Sequence, residues 1–358
     1  MQHIDSLRQQ ILDAASSGRP LRIRGGGSKD WYGGPLTGDI LDTRQLSGII
    51  DYEPTELVIT ARSGTPLVEI EAALAEQHQM LAFEPPHFGA GATLGGVLAA
   101  GLAGPRRASS GGVRDFVLGA VLMDGRGEVL SFGGQVMKNV AGYDVSRLLA
   151  GSMGSLGLTL QHSVKVLPRP VREATLRFAM SEIDAIAQLN LWGGQPLPIS
   201  ASCWVGGVLT VRLSGAGAAV DAAVRSFGGE QLEAPAANAF WASLREQTHD
   251  FFRQGGSLWR LSVPSITGAL VLEGAQMIEW GGAQRWLKVP GPSSAARAGA
   301  IRATVRAAGG HATLFRRADN DDGDAPVFEP LAPAIARIHT RLKAAFDPAN
   351  IFNPGRMF

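Results

Sequence analysis

The sequence has almost no cysteine. Of its 358 residues, only Cys203 carries a thiol. One cysteine excludes a disulfide within the chain, and it also excludes a zinc or iron–sulfur site built from this chain's cysteines alone. Low cysteine content is typical of a reducing compartment, so we expect a cytoplasmic protein.

The sequence also lacks an excess of charge of either sign. It has 33 basic and 32 acidic side chains, which gives a formal net charge of +1. Nucleic acids and anionic membranes attract strongly basic proteins. The balance therefore gives no reason to expect nucleic acid as a partner.

Long, strongly apolar runs are missing as well. Residues 1–17 have the spacing of a short amphipathic helix and lack the apolar core of a signal peptide. Residues 88–105 carry no charge but are rich in glycine and alanine, whereas a membrane-spanning helix needs about 20 strongly apolar residues. We predict a buried helix of small residues there, and no transmembrane segment.

Glycine, by contrast, is abundant, with 46 residues in the chain. Three of them, Gly25, Gly26 and Gly27, directly follow a predicted strand at residues 21–24. Successive glycines let backbone N–H groups converge on one point, which is how a loop cradles phosphate oxygens. A Rossmann fingerprint fails because Asp30 occupies its last glycine position, and a Walker loop fails because Gly-Lys occurs nowhere. A simple turn remains the alternative.

Two further glycine-rich segments follow. Residues 93–96 (Thr-Leu-Gly-Gly) open the small-residue helix, and glycines in a first helical turn allow a pyrophosphate to approach closely. Residues 138–158 contain Gly151, Gly154 and Gly157 before a predicted strand. A tightly packed core helix and ordinary turn glycines are the alternatives.

Together these segments resemble the flavoproteins of the vanillyl-alcohol oxidase and p-cresol methylhydroxylase family. The resemblance rests on Arg-Gly-Gly-Gly-Ser at 24–28, Thr-Leu-Gly-Gly at 93–96, Gly-Gly-Val-Arg-Asp at 111–115 and the glycine turn at 151–158. The Lys138–Asp144 motif and the C-terminal segment 346–356 are similar to the glycolate oxidase and D-lactate dehydrogenase branch. Residues 84–87, 101–107 and 280–286 resemble the smaller FAD-binding subunits of bacterial glycolate oxidases.

This resemblance implies an α+β fold, with an FAD-binding domain of two α/β subdomains and an α+β cap domain with an antiparallel sheet. We place the FAD-binding domain at 1–170, the cap or substrate domain at 171–310, and a segment that returns to the flavin domain at 311–358. Spacing predicts a helix at 66–77 and, in the second half, a strand at 269–272 among others. The acidic run 319–324 lacks calcium-loop spacing and is predicted to be a solvated loop.

The resemblance also implies FAD as the cofactor and assigns its contacts. The expected cofactor-binding residues are Arg24, Gly25, Gly26, Gly27, Ser28, Thr93, Gly95, Gly96, Gly111, Val113, Gly154, Gly157, Leu158 and Asn353. Relatives often attach FAD through a histidine just after the glycine loop, but Ser28 and Lys29 stand there in this chain. The only cysteine lies far away at 203, so we expect non-covalent FAD.

In this branch the flavin takes hydride from a small 2-hydroxy acid while a base removes the hydroxyl proton. The sequence has no His-x-His pair for that work, and our candidate catalytic residues are Arg260, Arg285 and His311. The family implies a larger FAD-containing catalytic subunit and an iron–sulfur subunit as partners, through which the protein could sit peripherally at the inner membrane. Two functions stay open for such a subunit, namely oxidation of substrate by this subunit and a structural or electron-relay role. A free-standing D-2-hydroxy-acid dehydrogenase is a third alternative.

Overall fold

A computed structural model describes residues 2–134 and 144–357. Residues 138–143 of the predicted Lys138–Asp144 motif lie outside the described residues. The strands are β1 (Leu21–Arg24), β2 (Asp39–Asp42), β3 (Ile49–Glu53), β4 (Val58–Arg62), β5 (Gln79–Met80), β6 (Val117–Met123), β7 (Val129–Gly133), β8 (Leu158–Lys165), β9 (Leu167–Pro168), β10 (Arg172–Ala179), β11 (Ile199–Val205), β12 (Val208–Gly215), β13 (Glu230–Gln231), β14 (Ser257–Ser262), β15 (Ala275–Glu279), β16 (Gln284–Val289) and β17 (His311–Arg316). The helices are α1 (Gln2–Ser17), α2 (Leu67–Glu76), α3 (Leu94–Ala100), α4 (Arg107–Ser110), α5 (Val113–Phe116), α6 (Val145–Leu148), α7 (Glu182–Gly193), α8 (Gly217–Phe227), α9 (Ala234–Arg245), α10 (Asp250–Arg253), α11 (Ala295–Ala307) and α12 (Pro333–Phe346).

The chain forms two compact units. The first contains residues 1–102, 111–169 and 330–358, and the second contains 103–110 and 170–329. The sequence analysis started the returning segment at 311. In the structure β17 pairs antiparallel with β14, because its alternate residues Ala312 and Leu314 are buried in the apolar core of the second unit. The return to the first unit therefore begins at 330.

The first unit is built on a five-stranded sheet in the order β3-β4-β8-β6-β7. Every neighbouring pair in this sheet is antiparallel. A separate parallel pair, β1 with β2, precedes it in the chain. Helix α1 packs on this part of the unit, where Leu7 and Ile11 share a core with Phe352 from the C-terminal segment.

The second unit is an eight-stranded antiparallel sheet in the order β13-β10-β12-β11-β15-β16-β14-β17. Helices α7 and α8 cover apolar side chains of β10 and β12, and α11 covers those of β14, β16 and β17. The α+β class with an antiparallel sheet in the second half, as predicted, is confirmed.

One predicted strand is wrong. Residues 269–272 are irregular, although their apolar composition favours a strand. The carbonyl oxygens of Thr267 and Gly268, just before this segment, accept hydrogen bonds from the side chain of Arg285. The carbonyl of Leu270 accepts from the side chain of Gln276. These side-chain bonds replace the ladder that a strand would need.

Within residues 2–134 and 144–357, every helix is too short or too polar to traverse a lipid bilayer. The uncharged stretch 88–105 contains the short helix α3, which begins after Thr93 and ends at Gly101 in a left-handed conformation. Leu94, Val97 and Leu98 of this helix are buried. The prediction of a buried helix of small residues is confirmed for this part.

Candidate cofactor-binding site

A cleft in the first unit brings together segments that are far apart in the chain. Its lining combines the loop after β1 with parts of α3, the turn before β8 and the C-terminus. The lining residues are Arg22, Ile23, Arg24, Gly25, Gly26, Gly27, Ser28, Lys29, Asp30, Leu36, Thr93, Gly96, Ala99, Ala100, Met153, Asn353 and Arg356.

The glycine loop can lie in this cleft only because it lacks side chains. A Cβ atom on Gly26 would be 1.4 Å from the carbonyl oxygen of Gly91, and one on Gly25 would be 2.4 Å from Oγ1 of Thr93. Gly27 has a φ of +73°, which favours glycine. The loop is therefore held in backbone contact with residues 91–93.

The backbone amides of this loop are available to a ligand as far as the described residues show. Within the described residues, the N–H groups of residues 25–28 donate no hydrogen bond. The Nε atom of Arg22, another lining residue, is buried and likewise has no partner there. A buried donor without a partner, such as Nε of Arg22, is unusual in a folded protein, because most buried polar groups are paired. Successive free amides form the type of concave cradle that binds phosphate oxygens.

The charge of the cleft is predominantly positive. Arg22, Arg24, Lys29 and Arg356 line it, against the single acidic residue Asp30. Nε of Arg24 donates to Oδ2 of Asp30 at 2.7 Å, which fixes the arginine over the loop. An excess of cationic side chains favours a ligand with negative phosphates.

The C-terminal segment braces the cleft. Nδ2 of Asn353 donates to the carbonyl of Met153 at 2.6 Å, and its Oδ1 accepts from the N–H of Ile23 at 2.8 Å. Arg356 donates to the carbonyls of Gly34, Asp30 and Tyr32. Burial lowers the pKa of Arg356, although Asp30 opposes this effect. The C-terminal segment thus forms hydrogen bonds with β1, with the turn before β8 and with the loop that follows β1.

Helix α3 contributes differently from expectation. The sequence analysis assigned pyrophosphate contacts to Thr93, Gly95 and Gly96. In the structure the N–H of Gly95 donates to the carbonyl of Ser63 at 2.7 Å, and the N–H of Gly96 donates to Oγ1 of Thr93 at 3.3 Å. Both first-turn amides are used within the chain, that of Gly95 because the helix start packs against the end of β4 and that of Gly96 because Thr93 caps the helix. The free amides come from the glycine loop instead.

The other expected cofactor contacts are divided. Gly154 adjoins the cleft through Asn353, since a Cβ on Gly154 would be 2.7 Å from Nδ2 of that residue. Val113 and Leu158 are buried core residues. Gly111 and Gly157, with φ values of +100° and +148°, occupy turns. These last four residues are not among the described residues that line the cleft.

Sequence reasoning missed several lining residues. Arg22 and Ile23 belong to a strand that was predicted, and Arg356 belongs to the quoted C-terminal segment, yet none was singled out. The basic residues near a glycine loop are a signal that could have identified Arg22. Met153 had no such signal, since its place depends on the fold of the turn.

Arg285 lies apart from the other two candidate catalytic residues. Arg260 on β14 pairs with Trp286, whereas Arg285 pairs with Leu261, so the two arginine side chains project from opposite faces of the sheet. His311 is exposed at the start of β17 and pairs with Ser262, two residues beyond Arg260, so its side chain projects from the same face as that of Arg260. The guanidinium carbon of Arg260 lies 5.5 Å from the ring centroid of Phe315.

The position of Arg285 corrects its expected role in a substrate pocket. It is fully buried and donates to the carbonyls of Gly268, Thr267 and Gly282. Burial lowers its pKa, an effect that Glu182 opposes from 3.7 Å. Its donors bind the chain's own backbone, so Arg285 stabilises the loop at 267–268.

The acidic run is an irregular loop whose residues are mostly exposed, as predicted. Its central carboxylate, Asp321, has a buried side chain, and it accepts hydrogen bonds from Ser257, Ser293 and Gly323. Burial raises the pKa of Asp321, but the hydrogen bonds from Ser293, Gly323 and Ser257 have the larger combined effect. The pKa of this carboxyl group is therefore well below its usual range. No cluster that could hold a metal ion occurs in the described part of the chain. Asp321 thus anchors the loop rather than standing in solvent.

The chain is similar both to a protein family and to individual known proteins. The family described as "FAD binding domain" matches residues 1–133. The chain is 50% identical over 353 residues to the glycolate oxidase subunit GlcE of Escherichia coli K12, which covers 99% of this chain and 97% of that protein.

More distant relatives match about half of the chain or less. Glycolate oxidase subunit GlcD of Bacillus subtilis 168 is 31% identical over 50% of this chain and 38% of its own length. The D-lactate dehydrogenase of Archaeoglobus fulgidus is 34% identical over 44% of this chain and 35% of its own length. A solved structure of alkyldihydroxyacetonephosphate synthase aligns with a TM-score of 0.67 at 14% identity, covering 98% of this chain and 75% of that one. This last likeness shows a shared fold.

Proposed function

Since the chain belongs to the family of the glycolate oxidase subunit GlcE, whose members are FAD-binding flavoproteins, we propose that it is the FAD-binding subunit of a glycolate oxidase. In this role it takes part in oxidising glycolate, or a related 2-hydroxy acid such as D-lactate, to the 2-oxo acid. The similarity to GlcE over nearly the whole length of both proteins is the observation that carries the proposal.

The cleft of the first unit is the proposed FAD site. The free amides of residues 25–28 and the buried Nε of Arg22 fit a diphosphate, and the absence of side chains on Gly25 and Gly26 leaves the loop close to residues 91–93. Arg24, Lys29 and Arg356 add positive charge. Bound FAD supplies two-electron chemistry by accepting a hydride.

The remaining expected contacts are proposed as support for this site. Asn353 and Gly154 set the position of the turn at 151–157. Gly95 holds the start of α3 against the end of β4, while Thr93 and Gly96 line the cleft. Gly111, Val113, Gly157 and Leu158 are proposed to shape the adenosine or ring part of the site. The FAD is proposed to be non-covalent, because Ser28 and Lys29 replace the attachment histidine.

We propose that the subunit works with a larger FAD-containing catalytic subunit and an iron–sulfur subunit. The chain has one cysteine, which is buried, so it offers no thiolate cluster for onward electron transfer. Electrons from its flavin must therefore leave through another chain or directly to an acceptor.

A second function is a non-catalytic one, in which this subunit supports or relays electrons for the larger subunit. The position of Arg285 favours it, since Arg260 and Arg285 face opposite sides of the sheet and Arg285 binds backbone carbonyls. A substrate carboxylate needs donors that converge on it.

Anaerobic reduction distinguishes the two functions. The purified FAD-loaded chain is mixed with glycolate, or with D-lactate in parallel, and the flavin absorbance band is followed. Bleaching supports substrate oxidation by this subunit. An unchanged band with the isolated chain, and bleaching of this chain's flavin only when the partner subunits are added in catalytic amounts, supports the relay function. A band that stays unchanged in the complete complex contradicts both.

A further inference from the structure

The second unit contains a groove that the proposed function does not use. It has a volume of about 860 Å³, within the range of small-molecule sites, which is roughly 300–1,000 Å³. It lies where β10 and β12 meet residues of α9 and the start of α10, and Arg177, Thr210, Phe240 and His249 are among its lining residues.

Arg177 supplies the positive charge of the groove. It pairs in register with Thr210, so both side chains project from the same face of the sheet. Its guanidinium carbon is 5.7 Å from the ring centroid of Phe240. Its Nε atom is buried and makes no hydrogen bond to any described residue. A buried donor of this kind favours an acceptor from outside the chain.

His249 supplies a second donor. Its Nδ1 accepts a hydrogen bond from the N–H of Phe251 at 3.2 Å, so the proton of the neutral ring is on Nε2. The ring meets Phe240 edge to face, with centroids 5.8 Å apart. Burial lowers the pKa of His249, and Arg177 lowers it further against the opposing effect of Asp250. An anion beside Arg177 and His249 would therefore be stabilised by both.

On the sheet face that carries Arg177, the neighbouring side chains of the groove are apolar. Ala179 pairs with Val208, and Val208 pairs with Val205. Since Ala179 lies two residues beyond Arg177 on the strand, these side chains continue along the face for roughly 7 Å from the arginine. They fit the hydrocarbon body of a ligand whose charged end reaches Arg177.

We propose that this groove binds a small organic monocarboxylate with an apolar body. The carboxylate accepts hydrogen bonds from Arg177 and Nε2 of His249, and the body lies on Ala179, Val205 and Val208. A dianion is disfavoured because Glu230 also lines the groove. Glycolate has only two carbons and cannot cover the apolar strip, so this ligand differs from the proposed substrate.

Calorimetric titration of the full FAD-loaded chain tests the proposal. Octanoate serves as the probe. Octanol, which has the hydrocarbon chain without the carboxylate, and acetate, which has the carboxylate without the long chain, are the control ligands. We expect one saturable octanoate site per chain. A charged hydrogen bond contributes about 1.5–3 kcal/mol, so octanol should bind on the order of ten-fold more weakly or worse. Equal binding of octanoate and octanol, or no saturable octanoate binding, would overturn the proposal.

Variants locate the site. Arg177→Gln should weaken octanoate by about ten-fold or more, and His249→Asn should weaken it while keeping a residue that can accept from Phe251 N–H. Arg172→Gln is the matched control, because Arg172 is on the same strand but is half-exposed and pairs with Asp221. Unchanged octanoate affinity in a folded Arg177→Gln chain would contradict the proposed site.

The comparison of octanoate with octanol needs no variant. It measures binding and does not depend on turnover, so its result is independent of the proposed function.

Discussion

His162 is a buried histidine in the middle of β8. Its register partners are Ala61 and Ala120, and both of its ring nitrogens lack a hydrogen bond from any described residue. Burial lowers the pKa of His162 to about 3. The folded chain therefore holds a neutral imidazole, while the unfolded chain titrates near the ordinary value of about 6.5.

This histidine makes stability depend on pH. Its contribution is fully present above about pH 6.5 and is lost as the pH falls toward 3, because only the unfolded chain takes up the proton. We expect denaturant unfolding to show lower stability at pH 5 than at pH 7, and His162→Gln to reduce that difference. His3→Gln, which changes an exposed histidine on α1, should leave it unchanged. An identical pH dependence in His162→Gln would contradict this reading.

Asn353 is a single residue that links three segments. It has a φ of +43°, which asparagine tolerates better than most residues. Replacing it with Ala removes bonds to Met153 and Ile23. We expect a loss of about 1–3 kcal/mol in unfolding free energy together with weaker FAD binding. Asn350→Ala, at an exposed position with a similar φ of +51°, controls for the backbone effect and should spare FAD affinity.

At the scale of elements, periodicity predicted the longer ones well. The helix expected at 66–77 is α2, Leu67–Glu76, with Pro66 at its start, and three of its apolar residues are buried. The strand β3 was missed because Ile49–Glu53 contains two acidic residues and is mostly exposed. The false strand at 269–272 had the right composition, but side chains of Arg285 and Gln276 occupy the carbonyls around it. Such tertiary bonds have no local signal.

Only part of the cofactor-binding site could be predicted, because its other contacts also depend on tertiary packing. Gly25–Gly27 after a predicted strand allowed a phosphate-binding loop or a simple turn, and the family resemblance pointed to the phosphate-binding loop and to Asn353. Contact between Asn353 and Met153 joins residues 200 positions apart, which no spacing rule reveals. The use of the Gly95 amide by Ser63 likewise depends on how α3 packs against β4.

The C-terminal element is held by a buried ion pair. Nζ of Lys343 on α12 donates to Oδ2 of Asp347 at 2.6 Å and to the carbonyls of Ser155 and Phe352. Burial lowers the pKa of Lys343, and Asp347 opposes that effect. Asp347 also accepts from the N–H of Phe352.

Breaking this pair should release the segment that carries Asn353 and Arg356. We expect Lys343→Met to cost about 3–5 kcal/mol, since it leaves a buried carboxylate without its cation. Arg341→Met, at an exposed position on α12, should cost little. Thermal unfolding and FAD affinity measure both effects, and a Lys343→Met chain with wild-type stability would show that the pair does not anchor the element.

At the scale of the whole molecule, the chain combines a flavin unit with a second, antiparallel unit. The prediction of FAD and of the family is confirmed by the match to the FAD binding domain family and to GlcE. The non-covalent link is a separate expectation. Acid precipitation of the purified protein should leave the flavin in the supernatant, because neither Ser28 nor Lys29 is an attachment residue of the family. Flavin that stays with the pellet would contradict it.

The central claim is that bare amides of residues 25–28 hold the diphosphate of FAD. Titration of the FAD-free protein with FAD, followed by flavin fluorescence, tests it most directly. The wild type and Gly299→Ala, whose added Cβ meets nothing within 4 Å, should bind one FAD per chain with equal affinity. Gly26→Ala, whose Cβ would collide with the Gly91 carbonyl oxygen, should lose binding while circular dichroism shows a folded chain. Wild-type FAD affinity in folded Gly26→Ala, or a wild-type chain that binds no FAD, would contradict the account.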